Sequence, residues 1–253
     1  MSGLEKRDPW LTLSRFTAAR IALGRAGGSV RTQTLLDFRL AHARAKDAVE
    51  LELDTAALVA ELTQARLDVT RLRTQAHDRR TYLQRPDFGR KLEPESHAEL
   101  LAQRSAWGAR DLCVLVSDGL SALAAARQAA PLLIELVPLL LARGVSLYPI
   151  CVAPFARVKL GDEVGEALGA RQSLVLLGER PGLSSPDSLG AYVTFAPRAA
   201  CSDADRNCIS NIREDGLPIA EAARAVLELI LESGRRQLSG VALKLSAPPV
   251  VGA

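Results

Sequence analysis

At 253 residues with 48% hydrophobic and 24% charged side chains, the chain can bury a sizeable core and fits one large domain or two modest ones. The net charge of +3 hides a gradient, with 17 basic and 11 acidic side chains in residues 1–91 against 15 and 18 in residues 92–253. Aromatics at 4% give no stacking platform for nucleic acid, no run reaches the roughly 18 apolar residues of a membrane span, and the first twenty residues are too charged for a secretory signal.

From Pro9 to about Arg80 the spacing predicts helices. Leu13, Phe16, Ala19 and Leu23 recur at intervals of three and four, Leu35, Leu36, Phe38 and Leu40 form a second segment, and Leu51 to Leu72 form a third. Gly24 to Ser29 separates the first two, and Ser29 or Thr32 is positioned to cap the helix that follows. The glycine cluster follows a helical pattern rather than a strand and has neither phosphate-loop spacing, so it reads as a turn. Tyr82 to Arg90 contains the Pro and Gly of a crossing loop, and a boundary is placed between it and Trp107. Residues 1–100 then form a helical region and residues 101–253 a second domain.

In that second part, Leu112–Val116, Val145–Val152 and Ser173–Gly178 are short runs, apolar on both faces and followed by helix-forming sequence. Strands of a parallel sheet covered by helices on both sides have this appearance. A further strand is expected near Ala191 to Ala196, an irregular segment around Asp203 to Asn211, and an amphipathic helix from about Pro218 to Leu238. The tail Ala247-Pro248-Pro249-Val250 reads as extended or disordered. The fold class is α/β, an N-terminal helical region followed by a Rossmann-like, mostly parallel sheet domain. In such a sheet the three loops after the apolar strands share one carboxyl edge, where ligands bind.

Those loops begin Ser117-Asp118-Gly119, Ala153 to Lys159, and Glu179-Arg180-Pro181-Gly182. Glu179 suits two roles: an ion pair with a neighbouring arginine, or an acceptor for ligand N–H groups. Asp203 and Asp205 have the composition of a cation site, but Asp205 beside Arg206 more simply organises a loop. Cys208 has no histidine near it in sequence and reads as a packed or ligand-lining thiol. Cys113, Cys151, Cys201 and Cys208 include no CxxC pair. His42, His77 and His97 lie outside the rim and show no metal-ligand spacing, so neither catalytic residues nor metal ligands are assigned.

A series of short words along the chain resembles the small (light) subunit of ethanolamine ammonia-lyase. They are Thr17-Ala18-Ala19-Arg20-Ile21 with Gly24-Arg25-Ala26-Gly27, Arg31-Thr32-Gln33, Lys46-Asp47, Tyr82-Leu83 with Arg85 to Arg90, and Ser117 to Ser121. Arg157-Val158-Lys159, Gly178 to Leu183 and Ala204 to Ile212 continue the series in family order. The resemblance implies an adenosylcobalamin-dependent lyase that converts ethanolamine to acetaldehyde and ammonia, starting from cobalt–carbon homolysis. A large subunit would hold the substrate and the radical chemistry, with this chain as a non-catalytic companion closing the cobalamin site. Cofactor contacts are implied at Val158, Glu179 and Cys208. The benzimidazole would stay on cobalt, since no histidine here has glycine three residues later, as a protein-ligated cobalamin motif requires.

An assembly of six large and six small subunits is implied, with no nucleic-acid or membrane partner. Some members begin with a longer extension associated with a bacterial microcompartment. This chain starts close to the first shared helix, so a cytoplasmic location is expected, with encapsulation left open. Two other readings stand beside this one. One is a stand-alone α/β enzyme on a nucleotide or phosphorylated small molecule, using Asp118 and Arg180; the other is a structural subunit whose rim touches only protein.

Overall fold

The computed structural model describes residues 5, 6, 8–17 and 19–243; the tail segment Ala247 to Val250 lies outside them. Two short strands, β1 (Glu5–Lys6) and β2 (Arg25–Ala26), pair antiparallel and enclose a 3₁₀ segment over Pro9–Phe16. Helices α1 (Thr32–Glu50) and α2 (Thr55–Gln64) follow, then strand β3 (Val69–Arg71), helix α3 (Arg79–Gln84) and helix α4 (Pro94–Trp107). Strand β4 (Leu112–Ser117) leads into α5 (Ala122–Ala124), which continues through a π-turn over Ala125–Ala129 into α6 (Ala130–Ala142). The chain then runs β5 (Ile150–Val152), α7 (Leu160–Leu168), β6 (Gln172–Gly178), β7 (Leu189–Phe195), β8 (Arg206–Ile212) and α8 (Ile219–Arg236).

Six strands form one sheet in the order β3-β5-β4-β6-β7-β8. The first four are mutually parallel, whereas β7 runs antiparallel to both β6 and β8. Every residue of β4 is buried, and its side chains alternate between the two faces as the two-residue strand period requires. Leu112, Val114 and Val116 join one core with α2, α6 and α8, while Cys113 and Leu115 join the other with α4 and α7. Helices therefore cover both faces, as the apolar runs predicted. The segment Ala122–Ala142 is long and apolar enough by composition to cross a membrane, but Leu132, Leu133, Leu136 and Leu140 are fully buried in the first core.

Several expectations require correction. Residues 203–211, expected to be irregular, form a 3₁₀ turn (Asp203–Asp205) and edge strand β8, which pairs only with β7. Edge position explains the missing signal: one mostly exposed strand needs no continuous apolar run. For the same reason the three-residue edge strand β3 was hidden inside the third helical segment. The first segment is a 3₁₀ turn followed by mostly irregular chain, and α1 is preceded by Arg31, which makes no side-chain cap. The run Val145–Val152 yields a regular strand only at Ile150–Val152, with an isolated bridge from Leu147 to Leu112.

Candidate ligand crevice at the carboxyl edge

The carboxyl ends of β4, β5 and β6 meet. Asp118 Oδ1 accepts from the Phe155 N–H at 2.7 Å, and Ser117 Oγ accepts from the Ala156 N–H at 2.9 Å, joining the β4 and β5 loops. The β4 and β6 loops touch backbone to backbone. A Cβ on Gly119, where φ is +53°, would stand 2.3 Å from Gly178 O, and a Cβ on Gly178 would stand 2.1 Å from Ser121 O. Only glycine allows both approaches. Tyr82 to Arg90 completes the wall, because the Arg157 N–H donates to Gly89 O at 2.7 Å.

These loops surround an open crevice of about 450 Å³, a size typical of small-molecule sites. Val158, Lys159 and Arg157 come from the β5 loop, Leu177, Gly178, Glu179 and Arg180 from the end of β6, and Tyr82, Pro86 and Arg90 from the preceding wall. Tyr192 of β7 and the segment from Cys201 to Arg206 close the opposite side.

Val158 and Glu179 thus line one crevice. Cys208 is not among its lining residues; it sits opposite Tyr192 in the β7–β8 register, one step behind the wall. Although Cys208 reaches solvent, desolvation by the surrounding protein pushes its thiol up to about 11; the neighbouring Tyr192 hydroxyl opposes this and the Glu179 charge adds to it.

Glu179 makes no ion pair with Arg180 or any other described residue. Its Oε2 accepts from Ser188 Oγ at 2.5 Å and from the Asn211 N–H at 3.2 Å, and its own N–H donates to Ser188 O at 2.9 Å. Oε1 accepts no hydrogen bond from a described residue. One oxygen is clamped and the other remains available as an acceptor.

Asp118 is committed to the framework. It is fully buried, and its Oδ2 accepts from Arg79 Nη1 at 2.9 Å while Oδ1 takes the Ser117 hydroxyl and the Phe155 N–H. A stand-alone enzyme using Asp118 as a ligand-binding group therefore loses one of its two named residues. Arg79 also donates to Val49 O and Gly119 O, tying the end of α1 to the rim.

Sequence reasoning missed Tyr82, Arg157 and Arg206 as crevice residues. Tyr82 is completely buried, its hydroxyl is pushed up to about 12 mainly by that burial, and Arg157 lies over its ring at 4.1 Å. Each stands in one of the short words named above, the only signal the sequence offered. Among the described residues no group of three or more histidine, cysteine, aspartate or glutamate side chains is gathered to hold a metal ion.

The architecture defines a class: a doubly wound α/β chain with a crevice at the carboxyl edge of its sheet, lined by Glu179, several cations and apolar side chains, in the place where such sheets take their ligands. The family model for the ethanolamine ammonia-lyase light chain (EutC) matches residues 7–244. Ethanolamine ammonia-lyase small subunits from Azotobacter vinelandii, Ralstonia nicotianae and Xanthomonas campestris pv. campestris are 55%, 52% and 51% identical. The alignments cover 94%, 95% and 97% of this chain and 88%, 90% and 91% of those proteins. The chain belongs to the ethanolamine ammonia-lyase light-chain family.

Proposed function

We propose that this chain is the small subunit of an adenosylcobalamin-dependent ethanolamine ammonia-lyase, closing the cobalamin site against a large catalytic subunit and inactive alone. The observation that carries the reading is the crevice, in which Val158 and Glu179, one of whose oxygens has no described partner, line one opening in a chain whose relatives are small subunits of this lyase. A corrinoid joins an apolar macrocycle to many amide arms. Its fit therefore calls for acceptors for the amide N–H groups, donors to the amide C=O groups and apolar surface together, and Glu179, the crevice arginines, and Val158 with Leu177 could supply those three. A crevice this small and open suits one wall of such a site better than a full enclosure. Cys208 would act through Tyr192 or at the margin.

Bound there, adenosylcobalamin supplies the radical chemistry of the lyase reaction. The residues of this chain would orient it: Glu179 would accept from an amide arm, and Val158 would present an apolar contact that keeps water off the ring. This chain would hold the cofactor at its periphery and would supply no ligand to the metal. Residues 1–100 carry most partner contacts and residues 101–253 most cofactor contacts, with Tyr82, Pro86 and Arg90 as the part of the first region that reaches the crevice. The proposed assembly is six large and six small subunits in the cytoplasm.

Mixing separately purified subunits tests the reading. Ethanolamine deamination should occur only with both present, and full activity from the large subunit alone would refute it.

A further inference from the structure

The crevice carries positive charge that its own carboxylates do not cancel. Arg90, Arg157 and Arg180 line it, and none of them makes an ion pair among the described residues. Lys159 and Arg206 are matched by Asp162 and Asp203.

Two of these guanidinium groups also hold donors in reserve. Arg157 is fixed by its place over the Tyr82 ring and by an Nη2 hydrogen bond to Tyr82 O at 3.1 Å, yet its Nε is a buried atom with no acceptor. The Arg206 side chain is only 5% exposed; Nη1 spans both Asp162 oxygens at 2.9 and 3.0 Å and Nε reaches Asp203 at 3.2 Å. Its Nη2 is likewise buried without an acceptor. Buried donors without acceptors are uncommon, and two on guanidinium groups already held in place by other contacts suit an oxyanion with several acceptor oxygens.

We infer that the crevice contains a subsite for a phosphate-class anion, with Arg157 and Arg206 as its donors. The inference rests on the corrinoid reading for the identity of the anion. The nucleotide arm of adenosylcobalamin carries one phosphodiester, and free inorganic phosphate is the other source of the same chemistry.

Two corrinoids that differ only in a phosphate, cobinamide and cobinamide phosphate, separate the possibilities. Their binding to the assembled two-subunit complex is read by equilibrium dialysis and corrin absorbance, without turnover. The wild-type complex should bind cobinamide phosphate at least about tenfold more tightly, since a charge-assisted hydrogen bond contributes that much or more. In Arg157→Gln and in Arg206→Lys this preference should fall below about threefold, whatever either substitution does to cobinamide affinity itself, with the melting curve of the complex confirming the fold.

Equal binding of the two analogues by a wild-type complex that still takes up cobalamin would overturn the anion subsite and leave the cofactor reading standing. Failure to bind any corrinoid would overturn both. Thermal stabilisation by inorganic phosphate without discrimination between the analogues would overturn the assignment to the nucleotide arm.

Discussion

At the scale of single residues, the crevice separates groups that hold the fold from groups left over for a ligand. Asp118 and Glu179 are both rim carboxylates, yet the first is enclosed by Arg79, Ser117 and Phe155 while the second keeps Oε1 free. Glu179→Ala should weaken cofactor binding to the complex by about 1–3 kcal/mol, the usual loss when a hydrogen bond to a charged group disappears. Val158→Asp should cost more, because it sets an uncompensated charge against an apolar ring. Spectroscopic titration with cobalamin measures both, and unchanged dissociation constants would remove these residues from the site. Cys208 permits a pH test. A thiol is attacked as its thiolate, and a pKa raised to about 11 leaves Cys208 protonated at neutral pH. Alkylation of the full chain at Cys208 should be slow at pH 7 and accelerate continuously up to about pH 11, as followed by peptide mass spectrometry. A plateau near pH 8 would contradict the desolvation described for it. Buried Cys113 and Cys151 should stay unmodified in the folded chain.

At the scale of elements, the rim depends on two backbones passing closer than any side chain permits. Gly178→Ala would place its Cβ 2.1 Å from Ser121 O and 2.4 Å from Asp118 O, against backbone rather than a movable side-chain end. Overpacking of this kind costs about 1–3 kcal/mol and should part the β4 and β6 loops, so denaturant melts and cobalamin titration should both report a loss. A variant of wild-type stability would mean that the loops yield. These same elements show what the sequence made legible. Strands β4 and β6 were readable because burial on both faces demands an uninterrupted apolar run. Strands β3 and β8 were not, because each is an edge strand with exposed positions, and Val69-Thr70-Arg71 and Arg206 to Ile212 carry no such run. Glu179 and Val158 could be placed together because parallel topology sends their loops to one edge. Tyr82 and Arg157 escaped that reasoning: their approach depends on the Tyr82–Arg90 loop folding back onto the β5 loop, a tertiary event with no local periodicity.

At the scale of the whole molecule, the apolar surface is distributed unevenly. Trp10 and Phe16 are 65% and 73% exposed, Leu35, Leu36, Phe38 and Leu40 are exposed along α1, and Ala48 is the only buried residue among the nineteen of that helix. Exposed apolar side chains in this number suit an interaction surface, and the basic excess of residues 1–91 would favour an acidic face on the other side. The surface is also wired to the crevice. Arg20 reaches Leu183 O and Ser184 Oγ in the loop after Glu179, and Arg79 links Val49 at the end of α1 to Asp118 and Gly119. A partner seated on α1 would therefore bear on the loops that frame the crevice, which would couple the proposed cofactor wall to assembly. The double variant Leu36→Ser/Phe38→Ser changes only exposed positions, so the melting temperature of the isolated chain should barely move. Its association with the large subunit, measured by sedimentation velocity, should weaken about tenfold or more, the loss expected when two buried apolar anchors are removed. Raising the salt concentration should weaken the wild-type association further by screening the basic surface. An assembly indifferent to both the double substitution and salt would place the large subunit elsewhere on the molecule, and the coupling through Arg20 and Arg79 would then have no part in cofactor binding.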